Sequence, residues 1–185
     1  MYNARLHVLM IVVTMVAFVA LLALNEALFT RLEFAPGINW IYLPAGLRLL
    51  CILMFGTAGA IGLLFASWLV CFFYFFPDDY LRSFAGGVLA SAAPYLVYRI
   101  AQRFYGMHIN LVNLSPGRLL VCVLAYSLAS PLLHHLWFAS QGHTGNLFSG
   151  FAVMAIGDLL GTLIVIYTIK LLLAAWPTRS GRPSL

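Results

Sequence analysis

The chain has 185 residues, of which 63% are hydrophobic and only 8% charged. Soluble domains carry about a quarter charged residues, so a chain this poor in charge cannot cover a water-facing surface, and lipid is its solvent. The formal net charge is +5, but the basic residues form no dense run, which excludes a nucleic-acid surface.

This length supplies about six spanning helices at roughly 20 residues each. The expected fold is an all-α integral membrane bundle. One transmembrane domain covers residues 1–176, and a short basic tail, 177–185, follows. The first helix covers residues 6–28. Its apolar run after Arg5 is longer than a signal-peptide core, and Leu24-Asn25-Glu26-Ala27 is a poor cleavage site, so a retained helix is expected. Residues 30–37 read as a polar turn with the breaker Pro36-Gly37. A second apolar stretch, 39–55, contains Pro44, Gly46 and Arg48; it spans, or it is re-entrant. A third helix runs to Phe76 without a charge, and Pro77-Asp78-Asp79 ends it. The fourth helix covers 83–103 and the fifth 118–138, joined by a polar connection over 105–117. The sixth covers 147–175 and carries Asp158.

Lys and Arg near helix ends set the orientation. With the N-terminus in the cytoplasm, Arg5, Arg99, Arg103, Arg118, Arg179 and Arg182 face that side. Only Arg31 and Arg82 fall in outer loops. Six spans with both ends cytoplasmic satisfy the rule.

Intramembrane charges are costly and call for a partner or a purpose. Three are in question: Glu26, Arg48 and Asp158. Counting inward at 1.5 Å per residue puts Arg48 and Asp158 both about 13 to 17 Å below the outer surface. The expectation is that they pair, with Glu26 above them. Such a pair either orients two helices or lines a pocket open to the outside. Gly157 and Gly161 flank Asp158 at the spacing that lets helices approach closely.

Other polar residues carry less. His134 and His135 point about 100° apart on a helix, which disfavours a shared metal ion. With His143 they read as interfacial polar residues, although His134 is kept as a ligand contact. Cys51, Cys71 and Cys122 are scattered in apolar stretches and read as core residues rather than disulfides. Trp40, Tyr42, Trp137 and Phe138 at one interface, and Tyr98, Phe104, Tyr105 and Trp176 at the other, read as aromatic belts. No metal, cofactor or catalytic residue is expected. Ser149 in the Gly142–Gly150 run faintly resembles an intramembrane serine protease site, but no histidine follows His143 to serve it.

Two stretches carry a family resemblance. Asn39-Trp40-Ile41-Tyr42-Leu43-Pro44-Ala45-Gly46-Leu47-Arg48 resembles the Trp-x-x-x-Pro-x-Gly opening of the second helix in bacterial membrane-associated sensor domains of the first MASE type. Ile156-Gly157-Asp158-Leu159-Leu160-Gly161 is similar to the Gly-Asp-x-x-Gly pattern on a late helix of that family. Trp40, Pro44, Gly46, Gly157, Asp158 and Gly161 match the two patterns. Those domains usually have about eight helices and an attached output domain, so a stand-alone or shortened member is expected. The resemblance implies a non-enzymatic, multi-pass sensory or scaffold module of a bacterial inner membrane. From the depth count rather than the resemblance, Glu26, Trp40, Arg48, His134 and Asp158 are the expected ligand-binding or intramembrane polar cluster. Arg99, Arg103 and Arg118 face a membrane or cytoplasmic protein partner. The family is distantly similar to the substrate-binding components of vitamin transporters, so a small-solute transport component is the rival reading. An assembly subunit of a larger membrane complex is a third.

Overall fold

A computed structural model of the protein describes residues 2–106, 114–142 and 146–175. His108, His143, Trp176, Arg179, Arg182 and the tail lie outside the described residues.

The architecture is a helical bundle with one small hairpin. Helix α1 covers Tyr2–Phe29 and ends in a 3-10 turn, Thr30–Leu32. A two-stranded antiparallel hairpin follows, β1 (Glu33–Ala35) and β2 (Ile38–Asn39), with Glu33 opposite Asn39. Then come α2 (Leu43–Phe55), α3 (Thr57–Val70), α4 (Tyr80–Tyr105), α5 (Pro116–Ser140) and α6 (Leu147–Ala175). A π-helical turn, Cys71–Phe75, extends α3.

Five of these helices are long and apolar enough to cross a membrane. The exception is α2: its 13 residues make a rod of about 20 Å, against a hydrocarbon core of about 30 Å. Ten of the 13 are buried, so protein rather than lipid surrounds it. Large apolar side chains such as Phe73, Phe148 and Leu171 are instead exposed around the bundle, as a lipid-facing surface requires.

The stretch expected to be helical from Asn39 becomes helix only at Leu43. Residues 39–42 are extended because α6 offers a place for their backbone. The Tyr42 N–H donates to the Gly157 carbonyl at 3.1 Å. A Cβ on Gly157 would meet the Asn39 oxygen at 1.9 Å, and one on Gly161 would meet the Tyr42 oxygen at 1.9 Å. One turn further, Gly46 lies against Thr162 and Val165. The small-residue face of α6 therefore receives an extended segment and then the start of α2.

The start of α2 is also tied to α1. Asn25 is buried, and its Oδ1 accepts the Leu43 N–H at 2.8 Å. Pro44 follows, and its missing N–H costs nothing in a first turn. Deeper along the pair, Arg48 reaches Phe18, so α2 runs antiparallel to α1. It runs parallel to α6, since Tyr42 meets Gly161 and Gly46 meets Val165. Hence α1 begins and α6 ends at the same face of the bundle. A single residue, Gly56, joins α2 to α3 at φ 56° and ψ −125°, a conformation that side chains with a Cβ rarely adopt.

The expected boundaries of α4 and α5 were short by a few residues. Asp79 caps α4, its carboxylate accepting the Arg82 backbone N–H at 2.9 Å, so the helix starts at Tyr80. Ser115 plays the same part for α5. Two presumed belt residues, Tyr42 and Tyr98, are in fact buried core.

These close approaches set a test. Gly161→Ala should destabilise the protein by about 1 to 3 kcal/mol, the usual cost of overpacking. Gly117→Ala, where an added Cβ meets nothing within 4 Å, should leave stability unchanged. Thermal unfolding in detergent compares the two, and equal melting temperatures would remove the seam from the account.

Candidate functional site

Arg48 is 7% exposed. Side chains on a helix lean toward its N-terminus, and here that brings the guanidinium back to Tyr42. Its Nη2 donates to the Tyr42 hydroxyl at 3.3 Å. Its Cζ lies 5.1 Å from the Phe18 ring centroid and 5.2 Å from that of Tyr42. Two aromatic faces and the Tyr42 hydroxyl thus lie against the cation. Desolvated cation–π contacts of this kind contribute about 2 kcal/mol.

Asp158 is 1% exposed and adjoins Ser130 of α5. No salt bridge joins it to Arg48 among the described residues, so the expected direct pair is corrected. Arg48 donates to Tyr42 instead, and the Asp158 Oδ2 has no hydrogen-bond partner. The physical reason is helix geometry. Gly46 faces α6, and Arg48, two residues on, is rotated about 200° away from it. Depth also differs. Gly46 packs on Thr162 and Val165, which puts the Arg48 Cα at least one turn deeper than Asp158. The carboxylate acts on the guanidinium through space, and the Tyr126 hydroxyl lies beside it.

The other expected site residues separate into groups. Glu26 is at the rim of the bundle and accepts from the Tyr74 hydroxyl at 3.2 Å. It does not meet Arg48. Trp40 is 44% exposed; its backbone N–H closes the hairpin on the Leu32 carbonyl at 3.1 Å. His134 is buried, with Nδ1 2.8 Å from the Ser130 carbonyl. Pro44, Gly46, Gly157 and Gly161 form the seat of α2 described above. Arg99, Arg103 and Arg118 are exposed where α4 ends and α5 begins. Arg99 donates to the Tyr95 hydroxyl at 3.3 Å, and Arg118 lies over the Tyr105 ring.

A partly open cavity of about 60 Å³ brings Arg48, Tyr42 and His134 together with Arg82, Phe76 and Trp137. This volume holds a few water-sized groups. Arg82 was read as an outer-loop residue. It lies instead in the first turn of α4, with its Cζ 4.0 Å from the Phe76 ring centroid and 5.5 Å from that of Phe138. The sequence holds a signal for this: Asp79 is a helix-capping residue type, and a cap there puts Arg82 on the helix. Asn25, Tyr126 and Ser130 were also missed as members of the polar interior.

Among the described residues no three His, Cys, Asp or Glu side chains gather as metal ligands. His134 and His135 each turn Nδ1 to a carbonyl of their own helix, at 2.8 and 2.9 Å. Compared with protein-family models, curated proteins and solved structures, the chain matches none.

The Arg48–Tyr42 contact is open to a direct test. Tyr42→Phe keeps the ring under the cation and removes only the hydroxyl. A hydrogen bond to a charged group is worth about 1.5 to 3 kcal/mol, and the variant should lose that much in a denaturant titration in micelles. Wild-type stability in Tyr42→Phe would show that the hydroxyl contributes nothing to holding Arg48.

Proposed function

We propose that the chain is a non-enzymatic sensory or scaffold module of a bacterial inner membrane. It acts through a partner protein and holds a small ligand pocket in the outer half of the bilayer. The observation that carries this reading is the buried guanidinium of Arg48, which stands at a cavity without a directly bonded carboxylate. Ionisable groups inside a membrane are expensive and mark functional sites by default. A structural ion pair, the bland alternative, lacks the contact it needs.

Orientation supports the same reading. Arg99, Arg103 and Arg118 share the end of the bundle opposite the cavity, and positive residues favour the cytoplasm. The cavity then faces outward, and the basic end faces inward. Whether α2 is counted as a span or as a buried insert, α2 and α3 together return the chain to the side it left. On either count the start of α1 and the end of α6 share one side, the side that the positive residues assign to the cytoplasm.

The two stretches that resemble the first MASE type of sensor domain adjoin in space: Gly157 lies against Asn39 and Trp40, and Gly161 against Tyr42 and Leu43. Residues of one functional unit are expected to adjoin. A cavity of about 60 Å³ is far below the few hundred Å³ that bury a drug-sized ligand, so a vitamin-sized substrate is the part of the transporter reading that the cavity disfavours.

Native mass spectrometry on gently extracted protein tests the proposal. A stoichiometric protein partner is expected, lost in the triple variant Arg99→Glu, Arg103→Glu, Arg118→Glu while the variant still inserts and melts cooperatively. A chain that always flies alone, or with a small molecule only, overturns it.

A further inference from the structure

We infer that the cavity between Arg48 and Arg82 is a binding site for a small oxoanion, a phosphoryl or carboxylate group. The inference rests on the reading of this cavity as the module's ligand pocket and assigns the ligand's chemistry.

Charge is the first ground. The lining includes two guanidiniums and no Asp or Glu. The nearby acids are engaged elsewhere or lie outside the lining. Asp79 spends its carboxylate on the α4 backbone. Glu26 accepts from Tyr74. Asp158, one turn beyond the lining residue Met154, is not part of the wall.

Unmet hydrogen bonding is the second ground. Arginine carries five N–H donors. The Nε of Arg48 and the Nε of Arg82 are both buried without an acceptor. Arg48 itself is 7% exposed, so bulk water does not serve it. Both guanidiniums line the same cavity, so an acceptor bound there would stand against the two side chains that carry these unspent donors. Asp158 offsets part of the Arg48 charge but fills neither donor.

Shape supplies the class. Planar guanidinium forks match the paired oxygens of carboxylates and phosphates, which favours an oxoanion over a halide. The aromatic walls, Tyr42, Phe76 and Phe138, hold the two cations by their faces. The volume of about 60 Å³ admits a group of a few heavy atoms, either whole or as the head of a larger molecule.

The experiment is a titration of the purified chain in nanodiscs at fixed ionic strength, in chloride, with inorganic phosphate and separately with acetate. Unfolding is followed by tryptophan fluorescence and binding by calorimetry. A saturable rise in melting temperature with either probe is expected, phosphate assigning a phosphoryl ligand and acetate a carboxylate. Arg82→Gln should weaken that binding by roughly tenfold or more, the loss of one charge-assisted hydrogen bond. Arg82→Lys, which keeps the charge but not the fork, should weaken it less than Arg82→Gln. Arg31→Gln, an exposed cation outside the cavity, should change nothing. No saturable effect of either probe on a cooperatively melting protein overturns the site, as does undiminished binding in both Arg82 variants. Anion binding without a co-purifying partner would keep the site and remove the sensor reading; a partner without anion binding would do the reverse.

Discussion

Non-helical backbone at membrane depth is tolerated only when protein satisfies and covers it. Residues 39–42 are a non-helical segment between apolar helices, and the structure depends on how they are received. Gly157 and Gly161 remove the side chains that would block them, and the Gly157 carbonyl accepts the Tyr42 N–H. Asn25 takes the next N–H, that of Leu43. Once these contacts exist, the position of Tyr42 is fixed, α2 starts where it does, and Arg48 has a hydroxyl and two rings to lie against. Apolar burial does little of this, since lipid tails are as apolar as leucine. Close packing and polar satisfaction do it instead.

How a buried cation is held affects what it is free to do. A direct salt bridge satisfies both partners and closes the site. An aromatic cradle stabilises the charge through ring faces yet leaves N–H groups unspent. Arg48 and Arg82 are both held in this second way, and both point into the same cavity. The polar interior is thus anchored without being saturated.

Much of this was legible in the residues. The helical membrane fold and the bounds of α6 followed from hydropathy, and the close approach at Gly157 and Gly161 followed from their spacing. The Arg48–Asp158 pair did not survive, because a helical rise per residue was applied to 39–42, which are extended. The same error made Tyr42 an interfacial residue instead of the one that holds Arg48. Arg82 was hidden by a helix start drawn three residues late, although Asp79 signals the cap. Asn25 left no local trace: its acceptor role is defined by a backbone N–H 18 residues away.

The seat of α2 has a consequence for synthesis. Gly46 packs against Thr162 and Val165, more than a hundred residues later in the chain. At ordinary elongation rates α6 emerges on the order of ten seconds after α2. Through that interval a helix too short to cross the bilayer, carrying an arginine, has no finished place to sit. It has to be sheltered by the insertion machinery, or lie against α1 with Asn25 already holding its first turn, until the last helix arrives and closes the bundle.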